Sequence, residues 1–183
     1  MGVRICILRG INVSGKNRIL MADLQRWFQE LGYGQVVTYI QSGNVVFSAP
    51  HDQPVSTNEG MIRDKIRQSG NLDIPVVIRT LEEMNETLKL NPFLKNSDKE
   101  ADKLHVTFLS SVPEPDRIAQ IASEQYLPDE FIIRGRDIYL YCPGGYGNTK
   151  LSNSFFEAKF KVTATTRNWA TVSKLAEIGN GLG

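Results

Sequence analysis

The stretch RGINVSGKNR, residues 9–18, gathers side chains suited to holding an anion. Arg9, Asn12, Lys16, Asn17 and Arg18 offer hydrogen-bond donors, and no acid lies among them. Gly10, Gly15 and Lys16 fall one letter short of the phosphate-binding pattern GxxxxGK[ST]. That pattern works because backbone N–H groups wrap the phosphates, the lysine reaches the terminal phosphate and a hydroxyl ligates Mg²⁺. Here Asn17 stands at the hydroxyl position, and the helical pattern begins near Leu20 rather than at the lysine. No later apolar run ends in an aspartate that would hold the metal, and the chain has hairpins where a P-loop fold needs a parallel sheet. The match reads as accidental. What is left is a strand-to-helix loop whose glycines permit positive φ, with enough donors to receive an anionic ligand or partner.

Three further clusters carry polar chemistry. Tyr39, Gln41, Ser42 and Asn44 surround a turn at Gly43. Ser and Asn side chains bonding nearby backbone explain such a turn; a polar wall beside residues 9–18 is the functional alternative. The glycine-rich GGYGNTKLSNSFF is expected to place Asn148 or Thr149 as a helix cap, with Lys150 and Ser152 in the first turn. The helix dipole favours an anion there, against the plainer reading of a capped helix. In TTRNWATVSKL, Arg167 suits bidentate capture of a carboxylate or phosphate, with Asn168 and Trp169 beside it. Trp169 reads as a core anchor or a stacking platform, and Arg167 equally suits a structural tie to a carboxylate elsewhere. Catalytic signatures are absent: no GxSxG, HExxH or CxxC occurs, and neither His51 nor His105 has Cys, Asp or Glu at metal-ligand spacing. The expectation is no metal and no cofactor.

The chain has 183 residues, 41% apolar and 22% charged, as expected of one domain or two small subdomains. Its net charge of +1 gives no bulk attraction to nucleic acid or membrane, so any anion site is local. No apolar run approaches the ~20 residues of a membrane helix. Cys6 and Cys142 lie far apart in apolar runs, which points to a reduced, cytoplasmic protein.

The elements that must position these residues follow from periodicity. VRICILR reads as a strand. Leu20, Leu24, Trp27, Phe28 and Leu31 lie at helical spacing, with Gly32 as the stop. QVVTYI and NVVFS form a hairpin around QSG. NEGMIRDKIRQSG is a helix and IPVVIR a strand. This βαββαβ order is the ferredoxin-like arrangement with an antiparallel sheet. Thr80 and Glu83 form a capping box for LEEMNETLKL, which ends at Asn91-Pro92. The charged KNSDKEADK is a linker. The second half reads LHVTFLS as a strand, DRIAQIASEQ as a helix, EFIIRGRDIYLYC as a hairpin turning at 134–137, then two helices and a frayed GNGLG tail. The expected fold is therefore α+β in two small subdomains: a ferredoxin-like unit over 1–80, a connecting helix and linker over 81–103, and a related βαββαα unit over 104–183.

LRGINVSGKNRILMADL, TYIQSGNVVFS and TTRNWATVSKL together resemble the bacterial family catalogued as domain of unknown function 1697. The resemblance runs from Leu8 to about Leu175, and Ser14 stands where family members have Gly. It implies two small α+β subdomains, the first ferredoxin-like, and implies no activity, cofactor or partner.

Two functional classes stand, with a third beside them. The first is a binding module for a phosphate-bearing ligand, nucleotide or nucleic acid, held by Arg9, Asn12, Lys16, Asn17, Gln41, Ser42, Asn44, Lys150, Ser152, Arg167, Asn168 and Trp169. The second is a metal-independent enzyme on a small anionic substrate, with Arg9, Lys16 and Arg167 as clamps and Tyr39 or Ser42 as proton donor or nucleophile. The third is a non-catalytic interaction protein.

Overall fold

A computed structural model of the chain describes residues 1–95 and 98–183; residues 96 and 97 of the linker KNSDKEADK lie outside them. The chain divides into two compact units, Met1–Glu86 with Lys174–Gly183, and Thr87–Ser173. These differ from boundaries at 80 and 103 in that the last ten residues return to the first unit.

The first unit runs β1 (Gly2–Leu8), α1 (Met21–Glu30), β2 (Gly34–Tyr39), β3 (Asn44–Ala49), α2 (Val55–Gly70) and β4 (Val76–Thr80). Its sheet is antiparallel in the order β2-β3-β1-β4, the ferredoxin-like arrangement. Alternation along β1 sends Cys6 and Leu8 into a core with Leu24, Phe28, Phe47, Ile62, Ile66 and Ile78. Phe28 meets the edge of Phe47 at 5.2 Å between centroids, and Tyr33 lies 4.7 Å from Phe47. Each such buried ring contributes about 1.5–3 kcal/mol of burial energy. Leu20 stands at the N-cap position of α1, without a side-chain capping bond, rather than joining its apolar stripe, and is 68% exposed.

Helix α3 (Leu81–Lys89) follows directly on β4. The capping box is present: the Thr80 N–H donates to Glu83 Oε2 at 2.9 Å, and the Glu83 N–H to Thr80 Oγ1 at 3.2 Å.

The second unit carries β5 (Leu104–Leu109), α4 (Pro115–Ala119), β6 (Glu130–Arg134), β7 (Asp137–Tyr141), α5 (Asn153–Phe160) and β8 (Ala164–Asn168), followed by α6 (Trp169–Leu182). Its antiparallel sheet has the order β6-β7-β5-β8, the same path as the first. Residues 164–168 are thus a fourth strand, not the start of the last helix, so the second unit is βαββαβ where the sequence pattern read βαββαα. Pairing along β5 decides this, with Val106 opposite Arg167 and Phe108 opposite Thr165. The core gathers Leu109, Ile138, Leu140, Leu151, Phe156 and Phe160. The predicted helix 116–125 shortens to α4, with a 3-10 turn at Ser123–Tyr126. The GNGLG tail is helical as far as Leu182, with Gly179 packed so closely that a Cβ there would come within 2.7 Å of Leu81 Cδ1. Among the described residues no helix is long and apolar enough to cross a membrane.

Candidate functional site

The site grows from the end of β1. The Leu8 N–H donates to the Gly43 carbonyl at 2.8 Å, and the Arg9 N–H to the Pro75 carbonyl at 2.9 Å. The loop after β1, the turn at 40–43 and the entry to β4 therefore meet at one end of the first sheet. Gly43 is required there: its φ is +82°, and a Cβ would lie 2.7 Å from Ile11 Cδ1 and 2.9 Å from Leu8 Cβ.

Between Leu8 and α1 the backbone turns left-handed at Gly10, Asn12, Ser14, Gly15 and Asn17. Asn tolerates this conformation better than other side chains, and both asparagines stitch the loop. Asn12 Nδ2 donates to the carbonyls of Ile19 and Gln41, each at 2.9 Å, and its Oδ1 accepts from the Ile19 N–H at 2.9 Å. Asn17 Nδ2 donates to the Gly10 carbonyl at 3.0 Å. The Lys16 N–H closes a tight turn on the Val13 carbonyl at 3.0 Å. Lys16 and Arg18 are exposed and form no ion pair among the described residues, and the Ser14, Gly15 and Arg18 N–H groups have no backbone acceptor there. Backbone N–H groups left open by a turn of this kind can form an anion-holding concavity.

This loop forms one wall of a cleft of about 600 Å³. Asn12, Gly15, Arg18, Ile19 and Leu20 line it from the loop, Asp23 and Trp27 from α1, Gln41 from the turn, and Ser69 and Gly70 from the end of α2. Gly70 admits the Trp27 ring, since a Cβ there would lie 3.0 Å from its Cη2. Asp23 pairs with Arg26 at 2.7 Å. The cleft thus offers apolar walls, a guanidinium, a carboxylate and a side-chain amide. The turn's remaining polar groups are occupied locally: buried Asn44 donates to the Tyr39 carbonyl and to Ser42 Oγ, each at 3.0 Å.

Of the residues singled out in the sequence, Arg9, Asn12, Lys16, Asn17, Gln41, Ser42 and Asn44 belong to the first unit, and Lys150, Ser152, Arg167, Asn168 and Trp169 to the second. Ser152, not Asn148 or Thr149, caps α5, accepting from the Phe155 N–H at 3.2 Å, and Lys150 precedes the helix. Arg167 lies on β8, where its Nη1 donates to Thr165 Oγ1 at 3.1 Å and to the Thr166 carbonyl at 2.9 Å. Asn168 caps α6, its Oδ1 accepting from the Thr171 N–H at 2.8 Å. Trp169 opens that helix half-buried. Sequence reasoning missed Asp23, Ser69 and Gly70 as cleft residues and saw Trp27 only as core. A helix start and a helix end carry no signal that they face each other.

Nucleophile chemistry finds little support. Burial pushes the Cys142 thiol up to about 11, so it stays protonated near neutral pH. Burial lowers the His105 pKa, and its ring stacks on Tyr146 at 4.9 Å. Among the described residues no group of three His, Cys, Asp or Glu side chains is placed to hold a metal.

Two βαββαβ units in succession, with a cleft of mixed polar and apolar lining at one end of the first sheet, define a double ferredoxin-like α+β protein. The chain belongs to the family described as "Protein of unknown function (DUF1697)", which it matches over residues 1–139. It is similar to a solved structure, that of conserved bacterial protein SP0830 from Streptococcus pneumoniae, at 20% identity, with a TM-score of 0.74, over 97% of this chain and 98% of that one. At that identity the likeness is one of fold. A comparison with curated proteins gave no match.

Proposed function

We propose that the protein is a cytoplasmic binding module, and that its first unit holds a phosphate-bearing small molecule of the nucleotide class in the cleft beside residues 12–20. The observation that carries this reading is the pairing of exposed, unpaired Lys16 and Arg18 with an apolar-walled cleft of about 600 Å³, a volume within the usual range for small-molecule pockets. Lys16, Arg18 and the free loop N–H groups take the phosphate. Ile19, Leu20 and the edge of Trp27 take the flat, less polar part, and Asp23 and Gln41 hydrogen-bond its rim. Asn12, Asn17 and Asn44 shape the site rather than touch the ligand. Arg167 and Lys150 play no part in this cleft's chemistry. The cytoplasmic assignment rests on Cys6 and Cys142, both buried and neither in a disulfide.

The test is a thermal-shift panel of inorganic phosphate, nucleotides, sugar phosphates, and short RNA and DNA on the wild type, Arg18→Ala and Arg167→Ala. A ligand at about 100 times its Kd adds about 2.7 kcal/mol. The expected result is a nucleotide shift lost in Arg18→Ala and kept in Arg167→Ala. A shift confined to RNA or DNA reassigns the ligand class, loss in Arg167→Ala alone moves the site to the second unit, and no shift rejects the proposal.

A further inference from the structure

The second sheet ends in a strand with an open side. Strand β6, EFIIR, lies at the edge of the order β6-β7-β5-β8 and, among the described residues, pairs only with β7, in an unbroken register from Glu130↔Tyr141 to Arg134↔Asp137. The phase of its hydrogen bonds follows from β7's other neighbour. The Leu109 N–H bonds the Arg136 carbonyl, and the Cys142 N–H bonds the Lys103 carbonyl. Even-numbered residues of β7 therefore face β5 and odd-numbered ones face β6. Glu130, Ile132 and Arg134 accordingly bond inward to β7, and Phe131 and Ile133 turn their N–H and C=O groups to the open edge. The side chains of Phe131 and Ile133 pack on the core. Ile132 lies on the opposite face, 37% exposed, and Leu127 nearby is 64% exposed.

We infer that β6 pairs antiparallel with β6 of a second copy of this chain, about a twofold axis through Ile132. The sequence of the strand is complementary to itself in this register. Phe131 of one copy meets Ile133 of the other, and these are the residues whose backbone groups face outward, so each such pair exchanges both its N–H···O=C bonds. Ile132 meets Ile132, joining two exposed apolar side chains. Glu130 of one copy, which already pairs with Lys99 of its own chain, meets Arg134 of the other and shares its carboxylate between the two cations, and Arg134 forms no ion pair among the described residues. A cavity of about 230 Å³ beside β6, lined by Glu124, Asp129 and Glu130 with Leu127, lies next to the place this Arg134 would take. The opposite edge-strand case, β2 of the first unit, is built against such pairing: its register breaks between Gly34 and Val37, and Gln35 is left-handed. Bulges of this kind blunt an edge, and β6 has none.

The experiment is sedimentation velocity over a concentration series, with the full chain and three variants, each checked for native circular dichroism. The wild type is expected to shift from monomer to dimer with rising concentration. Ile132→Lys, which sets like charges on the twofold axis at an exposed position, is expected to remain monomeric. Arg134→Glu is expected to raise the dissociation constant by about 10-fold or more, since the symmetry repeats the repulsion. The double change Glu130→Arg with Arg134→Glu is expected to recover part of the dimer lost in Arg134→Glu, since Glu130→Arg also gives up the pair with Lys99. Register is read separately: Ile132→Cys is expected to form an intermolecular disulfide under mild oxidation, and Val112→Cys, more exposed than Ile132 but outside β6, to form none. A chain that stays monomeric throughout, a dimer indifferent to Ile132→Lys, or equal cross-linking at 132 and 112 would each overturn the inference.

Discussion

The two units place a central first strand in the same sheet order and then diverge at the connection that follows it. After β5 the chain crosses residues 110–114, meets Pro113 and Pro115, and enters the single-turn α4 with Glu114 and Asp116 beside it. After β1 it runs through residues 9–20, with five left-handed positions and Arg9, Lys16 and Arg18, before the longer α1. The framework is shared, and the candidate site belongs to the connection that departs from it. That is how a common fold acquires a site: the sheet sets where the loop starts and ends, and the loop's own residues set its chemistry.

The sharpest way to break the comparison is at the turns. Gly43→Ala combines a left-handed φ with contacts of 2.7 and 2.9 Å, and is expected to cost about 2–4 kcal/mol. Gly135→Ala, at the β6–β7 turn, has a φ of +56° and nothing within 4 Å of the new Cβ, so strain alone costs about 1–2 kcal/mol. Urea denaturation of the two variants separates crowding from strain. Asn12→Ala comes next. It leaves the Ile19 N–H and the Ile19 and Gln41 carbonyls without their partner, at about 1–3 kcal/mol, and is expected to weaken ligand binding as the loop loosens; calorimetry reads both. Thr80→Ala removes one half of the capping box, at about 0.5–2 kcal/mol, without altering the cleft. The smallest effect is one of pH. Hydrogen bonds from Arg63 and Arg67 hold the Asp73 carboxyl at about 2, below its ordinary 3.8. A depressed carboxyl contributes stability that is present above its unfolded value and lost as pH falls through the folded one. Asp73→Asn should therefore flatten the decline in stability between about pH 4 and about pH 2, and because the pair is exposed the change should be small and salt-sensitive.

Much of the fold was legible because local signals agreed with tertiary pairing. The capping box at Thr80 and Glu83 and the hairpin turning at 134–137 are where the sequence pattern put them. Strand β8 was not, because TTRN is short, polar and runs straight into a helix-forming segment. Its pairing with β5 is a long-range fact that no local pattern carries. The site was legible as composition only. Residues 9–18 announce donors without acids, but not that Asn12 and Asn17 use theirs to hold the loop while Lys16 and Arg18 keep theirs free. Nor does the sequence bring Ser69 and Gly70 of α2 to face Asp23 and Trp27 of α1, since that closeness depends on how two helices pack on one sheet.

The most direct test of the central claim is an NMR titration of ¹⁵N-labelled protein with a nucleoside triphosphate, followed at assigned backbone amides and the Trp27 indole. The account predicts saturable shifts at Ser14, Gly15, Arg18 and the Trp27 Nε1–H, with none at Lys150 or Arg167. Shifts centred on Lys150 and Arg167, or none at any residue, would contradict it.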